Sequence, residues 1–267
     1  MYRYFMKLAY NGTAYKGWQV QPNGMTVQQM LEKGLKAVLG TEILVAGCGR
    51  TDSGVHASDF YAHFDFGVEL NSEALRNINM RLNRFLPHDI IVYMMCPVIP
   101  EAHARFSALS REYQYLIIRS KDPFRYQQAY FVYGELDVEA MNCCANLLLG
   151  WHDFQCFSKT RTQVSNYFCN ITHARWTLDG HLLTFTIAAD RFLRNMVRAI
   201  VGTLLDVGKG KIDVVGFKEV LESRDRGEAG YSVPAKGLTL TKVEYDPQIF
   251  SEKPVWFSTD QTSSIKE

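Results

Sequence analysis

Two runs with period-two hydrophobicity, residues 171–178 and 181–188, are separated by Asp179-Gly180. Asp-Gly between alternating runs is a strong hairpin signal, because a tight turn matched to the strand twist needs backbone conformations that glycine adopts without strain. An antiparallel pair therefore anchors the second half of the chain. Ahead of it lie a strand at 113–119, a long aromatic loop and a helix at 138–149, with Asp137 as its cap and Gly150 as its stop. Behind it the spacing predicts helices at 192–206 and 213–223 and a strand at 238–245.

The first half repeats this alternation. Residues 2–10 alternate as a strand, with Tyr4, Met6, Leu8 and Tyr10 on one side. Thr26-x-x-Gln29 is a capping box for a helix carrying Val27, Met30, Leu31, Leu35 and Val38, and Gly40 fits its end. A short apolar run at 43–46 reads as a buried strand. Phe60, Ala62, Phe64 and Phe66 alternate with Tyr61, His63 and Asp65, which predicts a half-buried strand. Ser72 caps a helix with Leu75, Ile78, Leu82 and Phe85 inward and Arg76, Arg81 and Arg84 outward. Pro87 stops it before a strand at 90–95. Two αβ series of similar size imply an α+β protein. The expected division is an N-terminal half at 1–105, a C-terminal half at 106–250 and a tail at 251–267.

The formal net charge is +1. Nucleic-acid binding must then rest on local patches rather than on a basic chain. The first residues lack a signal-peptide pattern, and no run approaches the ~18 apolar residues of a membrane span. Six cysteines, none in C-x-x-C spacing, read as reduced thiols of a cytoplasmic protein. Seven scattered histidines without an H-x-x-x-H pair make no metal site expected.

The stretch from Gly47 to Ala57 packs three glycines, Arg50, Asp52 and His56 into eleven positions. It reads either as a loop whose aspartate caps a turn or as one that offers a carboxylate to a ligand. Arg191, Arg194 and Arg198 fall at i, i+3 and i+7 of the helix expected at 192–206, with Arg198 deepest in the apolar stripe. A buried arginine needs a carboxylate, since losing the partner of such a pair costs roughly 3–5 kcal/mol. Asp52 is a candidate; an exposed basic face with Arg198 snorkelling is the alternative. Tyr113, Tyr115 and Ile117 share one face of their strand, which suits either a core or a ring stacked on a planar substrate. Residues 15–21, with Lys16 and Trp18, suit an RNA surface or a loop pinned by a buried Trp18.

Three chemistries use a loop aspartate. Asp52-Ser53-Gly54 is similar to the aspartic-protease triplet, but those enzymes need two, and this chain has one. Glycoside hydrolysis needs a second carboxylate, for which Asp59 is the nearest candidate. Covalent catalysis at an anomeric or activated ring carbon stays open.

Taken together, Gly49-Arg50-Thr51-Asp52-Ser53-Gly54-Val55-His56-Ala57 resembles the signature of the tRNA pseudouridine synthase A family. Tyr10-Asn11-Gly12 with Tyr15, Gly17-Trp18 and Gln21 resembles its N-terminal segment. His103-Ala104-Arg105-Phe106-Ser107-Ala108 and Arg111-x-Tyr113-x-Tyr115 resemble its middle, and Phe192-x-x-x-Met196-Val197-Arg198-x-Ile200-Val201-Gly202 its late helix. The resemblance covers nearly the whole chain. It implies a pseudouridine synthase fold, with two α+β halves sharing a continuous, mostly antiparallel sheet and a central cleft. It implies a homodimer acting, without cofactor, on uridines 38, 39 and 40 of the tRNA anticodon stem-loop. Asp52 is then the nucleophile, Tyr113 stacks on the uracil, Arg198 pairs with Asp52, and Arg50 helps hold the base out of its stack. Lys16, Arg76, Arg81, Arg84, Arg191 and Arg194 are expected on the RNA side. An inactive tRNA-binding protein and a nucleoside or glycosidic hydrolase are the rival readings. Asn11 stands where the family usually has Asp, Ser53 where it has Ala, and Asp59-Phe60-Tyr61 where it has Gly-Gln-Val. The usual basic residues and proline are missing around 165–171, with Cys169 near an expected arginine.

Overall fold

The computed structural model describes residues 1–160 and 166–251. The expected tail lies outside them apart from Ser251. Ten strands form one sheet: β1 (Tyr2–Tyr10), β2 (Val45–Gly47), β3 (His56–Phe66), β4 (Ile90–Pro97), β5 (Ala108–Ile118), β6 (Tyr130–Phe131), β7 (Gly150–Asp153), β8 (Phe168–Asp179), β9 (Leu182–Ala189) and β10 (Leu238–Tyr245). Five α-helices are described: α1 (Val27–Leu39), α2 (Ser72–Phe85), α3 (Val138–Asn146), α4 (Met196–Gly208) and α5 (Val214–Ser223). The strand order is β4-β1-β3-β10-β5-β9-β8-β7, with β2 on β3 and β6 on β5. Pairing is antiparallel except between β3 and β10 and between β5 and β6. No described helix is long and apolar enough to cross a membrane.

The last strand, β10, runs between β3 and β5 and so joins the two halves of the sheet. Two apolar cores flank it. One gathers Tyr4, Met6, Leu8, Phe60 and Phe64 with Leu31 and Leu35 of α1 and Leu75 and Leu82 of α2. The other gathers Tyr115, Trp176 and Phe185 with Ile200, Val201 and Leu204 of α4 and Phe217 of α5. Leu240 and Val243 of β10 belong to the first core and Leu238 to the second.

Several local expectations shift. The strand expected at 43–46 begins only at Val45, and Leu44 is solvent-exposed. Asn71, not Ser72, caps α2: its side chain accepts the Ala74 N–H at 2.9 Å. α3 ends at Asn146, short of Gly150, because the chain tightens through Leu147 N–H to Cys144 O and Leu148 N–H to Ala145 O. The hairpin loop is Gly180-His181, since Asp179 still pairs with Leu182. β3 is buried on both sides rather than half-buried. Tyr61 and His63 lie under Tyr245 and the 98–107 connection, with Tyr61–Tyr245 ring centroids 5.0 Å apart and His63–His103 4.6 Å apart. A strand in mid-sheet gains a second cover that alternation in its own sequence does not reveal.

Candidate active site

Asp52 lies in the loop between β2 and β3. The N-terminal segment holds this loop from below. Trp18 N–H donates to Thr51 O at 3.2 Å, Gly54 N–H to Tyr15 O at 3.3 Å, and Tyr10 and Thr51 share a hydroxyl hydrogen bond of 2.8 Å. Gly17 has φ +87°, and a Cβ there would stand 2.4 Å from Thr51 O. Only glycine permits both that conformation and that approach. Trp18 is buried and stacks on Phe60 at 4.1 Å, so it pins the 15–21 loop rather than offering a face to RNA. Lys16 in the same loop is exposed.

His56 closes the motif as a structural post. Its Nδ1 accepts the Gly12 N–H at 3.0 Å, and its Nε2 lies 3.1 Å from Lys236 O, which sets the neutral Nε2–H tautomer. Burial lowers its pKa. Ser53, in place of the usual alanine, donates its hydroxyl to Tyr15 O at 3.2 Å. Asn11, where the resemblance predicts aspartate, accepts from Thr13 N–H at 3.1 Å.

The carboxylate faces two guanidinium groups. Arg198 Nη1 is 3.5 Å from Asp52 Oδ2, and Arg194 Nε is 3.8 Å from Oδ1. Arg198 is held on α4 by its Nε donating to Val233 O at 2.7 Å, while Val233 N–H donates back to Arg198 O. The segment carrying Val233 can lie this close because Gly202 has no side chain: a Cβ there would meet Tyr231 O at 1.8 Å.

Arg194 reaches the site by a route the sequence conceals. The helix expected from 192 begins only at Met196, because Asn195 takes a left-handed conformation, φ +67°, and hydrogen-bonds Ser232 Oγ at 2.6 Å. Leu193 is buried in the turn ahead of it and so mimics one more helical turn. Arg191 and Arg194 therefore do not share a helix face with Arg198. Arg194 turns toward Asp52, and Arg191 donates to Asn166 Oδ1 at 3.1 Å.

Tyr113 is on β5, with its ring edge-on to Phe192 at 5.2 Å, and the Asp52 charge acts on its phenol. Burial above all, then Cys48 and Asp52, raises its phenol pKa and keeps it protonated. Arg111, two residues earlier, clamps the surroundings. Its guanidinium donates to the carbonyls of Ala108 (3.1 Å), Asp190 (2.8 Å), Cys48 (3.1 Å) and Arg105, tying β5 to the Asp52 loop and to the connection before it. The sequence named Arg111 only as part of Arg111-x-Tyr113-x-Tyr115; its carbonyl partners at 48 and 190, distant in the chain, come from the fold. Arg50 and Arg105 are exposed. Partial burial of Arg105 first, and then the charges of Arg50, Arg111 and Arg191, lower its pKa, so these guanidiniums lie near one another.

Other candidates stand apart. Arg76, Arg81 and Arg84 are exposed on α2, which packs on edge strand β4; β1, β3 and β10 separate β4 from β5. Asp59 is engaged by Lys7 Nζ at 3.1 Å and by the Val243 N–H at 3.3 Å, so it is not a second carboxylate offered across a bond from Asp52. An open groove of about 370 Å³ beside His56 and Asp89 has neither Asp52 nor Tyr113 in its lining. Among the described residues no cluster of side chains is suited to a metal ion.

A family model described as tRNA pseudouridine synthase matches residues 144–246. The tRNA pseudouridine synthase A of Parabacteroides distasonis is 50% identical over 250 residues, covering 94% of this chain and 98% of that protein. The chain belongs to the tRNA pseudouridine synthase A family. The Bacteroides thetaiotaomicron member is 52% identical over 256 residues, 95% of this chain and 94% of its own length. The tRNA pseudouridine synthase A 2 of Clostridium perfringens is 39% identical over 242 residues, 90% and 98% of the two chains. A chain of a solved Cbf5-Nop10-Gar1 complex aligns with 89% of this chain and 58% of its own, at 11% identity and a TM-score of 0.35. The α+β architecture with its long mixed sheet is the pseudouridine synthase fold. The glycines at 12, 17 and 202 each lie where a Cβ would strike the backbone of another segment around Asp52 or Arg198.

Proposed function

We propose that this chain isomerises uridine to pseudouridine at positions 38, 39 and 40 of the tRNA anticodon stem-loop, with Asp52 as nucleophile. The observation that carries the reading is the environment of one carboxylate. Asp52 is held between Arg194 and Arg198 and acts electrostatically on the Tyr113 phenol, in a chain half identical to named tRNA pseudouridine synthases. The reaction breaks the bond from N1 of uracil to C1′, turns the base and joins C5 to C1′. The C5 hydrogen leaves as a proton and N1 gains one, so atoms balance without a cofactor.

Each group has a task in that sequence. The target base must leave its stack to be reached. Tyr113 offers it a flat apolar face, and the protonated phenol adds no competing negative charge. Arg198 and Arg194 keep the carboxylate aimed, so little reorganisation is needed when charge moves. Attack at C1′, attack on the ring and a glycal route all need this carboxylate at the base–ribose junction. Arg50 holds the displaced base, and Lys16 and Arg191 meet RNA phosphates; Arg76, Arg81 and Arg84, on the helix that packs on the far edge strand, meet only RNA distant from the target base. The two halves, 1–105 and 106–250, meet at the cleft, and the enzyme works as a cytoplasmic homodimer.

The test is release of tritium from tRNA labelled at uridine C5. Release that depends on Asp52 supports the synthase. Tight binding without release identifies an inactive binder, and free uracil identifies a hydrolase; either result overturns the proposal.

A further inference from the structure

We propose that Phe106 and Arg105 form a separate RNA subsite at the rim of the cleft, where Phe106 stacks on an unpaired base next to the target and Arg105 meets the adjoining phosphate. The inference rests on the synthase reading above and extends it to how the RNA is gripped.

Phe106 is 75% exposed. Burying a phenylalanine side chain stabilises a protein, so a ring left in solvent forgoes that gain. Its exposure is not slack in the chain, because the loop around it is tied at nearly every residue. His103 N–H donates to Ser107 Oγ and Ser107 N–H to His103 O, both at 2.9 Å. His103 Nδ1 accepts the Arg105 N–H at 3.1 Å, and His63 Nδ1 accepts the Ala104 N–H at 3.2 Å. The Tyr245 hydroxyl donates to Ala104 O, and Arg111 donates to Arg105 O. The His103 ring supports the phenyl ring from one side, with centroids 4.4 Å apart. The fold thus presents a rigid aromatic face outward.

Its surroundings select the partner. The Arg105 guanidinium is 5.4 Å from the Phe106 centroid, and Arg50, Arg111 and Arg191 act on Arg105 electrostatically. Arg111 is committed to four carbonyls, which leaves Arg50 and Arg105 as outward-facing charges. An exposed ring among guanidiniums matches a strand that alternates flat bases with phosphates. The loop also adjoins the chemistry: the Arg111 guanidinium that holds Arg105 O holds Cys48 O, four residues before Asp52.

The test compares Phe106→Ala, Phe106→Leu and Phe106→Tyr for Kd and KM toward unmodified tRNA, with sedimentation to record oligomeric state. Stacking on an aromatic contributes about 1–3 kcal/mol per base, so the alanine and leucine variants should weaken binding about 5- to 150-fold while tyrosine stays near wild type. Arg105→Ala should lower the slope of log Kd against log salt by about one. Wild-type binding by Phe106→Ala overturns the subsite, as does rescue by leucine equal to that by tyrosine. A changed oligomeric state with unchanged tRNA affinity overturns it too, assigning the face to protein contact. Because Kd is read without turnover, a wild type that binds but releases no tritium counts against the synthase reading alone.

Discussion

Arg194 Nε stands 3.8 Å from Asp52 Oδ1, on the opposite oxygen from Arg198. The two arginines are not equivalent. The Arg198 side chain is 19% exposed and also bonds Val233 O, whereas that of Arg194 is 59% exposed. Arg198→Ala should therefore lower kcat about 10²- to 10³-fold, as loss of a preorganised charged donor does. Arg194→Ala should cost about tenfold, because solvent screens the exposed partner. Arg198→Lys should restore little, since an ammonium cannot reach Val233 O and the carboxylate with separate nitrogens. Single-turnover rates at saturating tRNA measure all three; equal losses for Arg194 and Arg198 would contradict this ranking.

Asp52→Asn keeps the size of the side chain but removes its negative charge. Turnover should be abolished, with tRNA affinity within a few-fold of wild type, because phosphate contacts come from other residues. Tritium release and filter binding on the same preparation decide it. Substantial residual turnover would count against Asp52 as nucleophile.

Asp59, one of the positions where the sequence departs from the family pattern it resembles, pairs with Lys7, their side chains 14% and 16% exposed. Asp59→Asn should lower stability by about 2 kcal/mol, below the roughly 3–5 kcal/mol for a fully buried pair left without one partner. Turnover per folded molecule should change little, since Asp59 does not face the Asp52 carboxylate. Urea midpoints and initial rates separate the two effects. A large loss of kcat at unchanged stability would revive a two-carboxylate mechanism.

His63 carries a pH dependence of known sign. Burial first, then His103 and Arg3, lowers its pKa to about 4. An unfolded histidine titrates near 6.5. Between these values the unfolded chain takes up a proton that the folded chain refuses, so stability falls as pH drops from about 6.5 to 4. The contribution is on the order of 2 kcal/mol after allowance for screening. His63→Gln removes the titration, and its Tm should vary less with pH across that window than the wild-type Tm. Parallel Tm curves would remove His63 as the cause.

Much of the layout was legible because it depends on neighbours in the chain. Thr26 caps α1 through the Gln29 N–H, Gly40 ends it at φ +76°, Asp137 caps α3, α5 begins within one residue of the expected start, and β10 spans the residues predicted for it. Boundaries slipped where a local pattern continued past its element. Leu193 extends the stripe of α4 beyond the helix, and alternation in β3 hides a second buried face. The outward arginines of α2 were legible as exposed, but their distance from β5 follows from strand order.

The sequence by itself determined the α+β layout, the glycine-dense loop with Asp52, and the family, because each rests on residues within one short stretch or on several such stretches in order. Only the tertiary structure decided which charges meet. Asp52 and Arg194 lie 142 positions apart, in irregular segments whose course depends on Asn195 turning left-handed and on Gly17 and Gly202 admitting neighbouring backbone. No helical or strand period relates such segments, so their contact is set by packing alone.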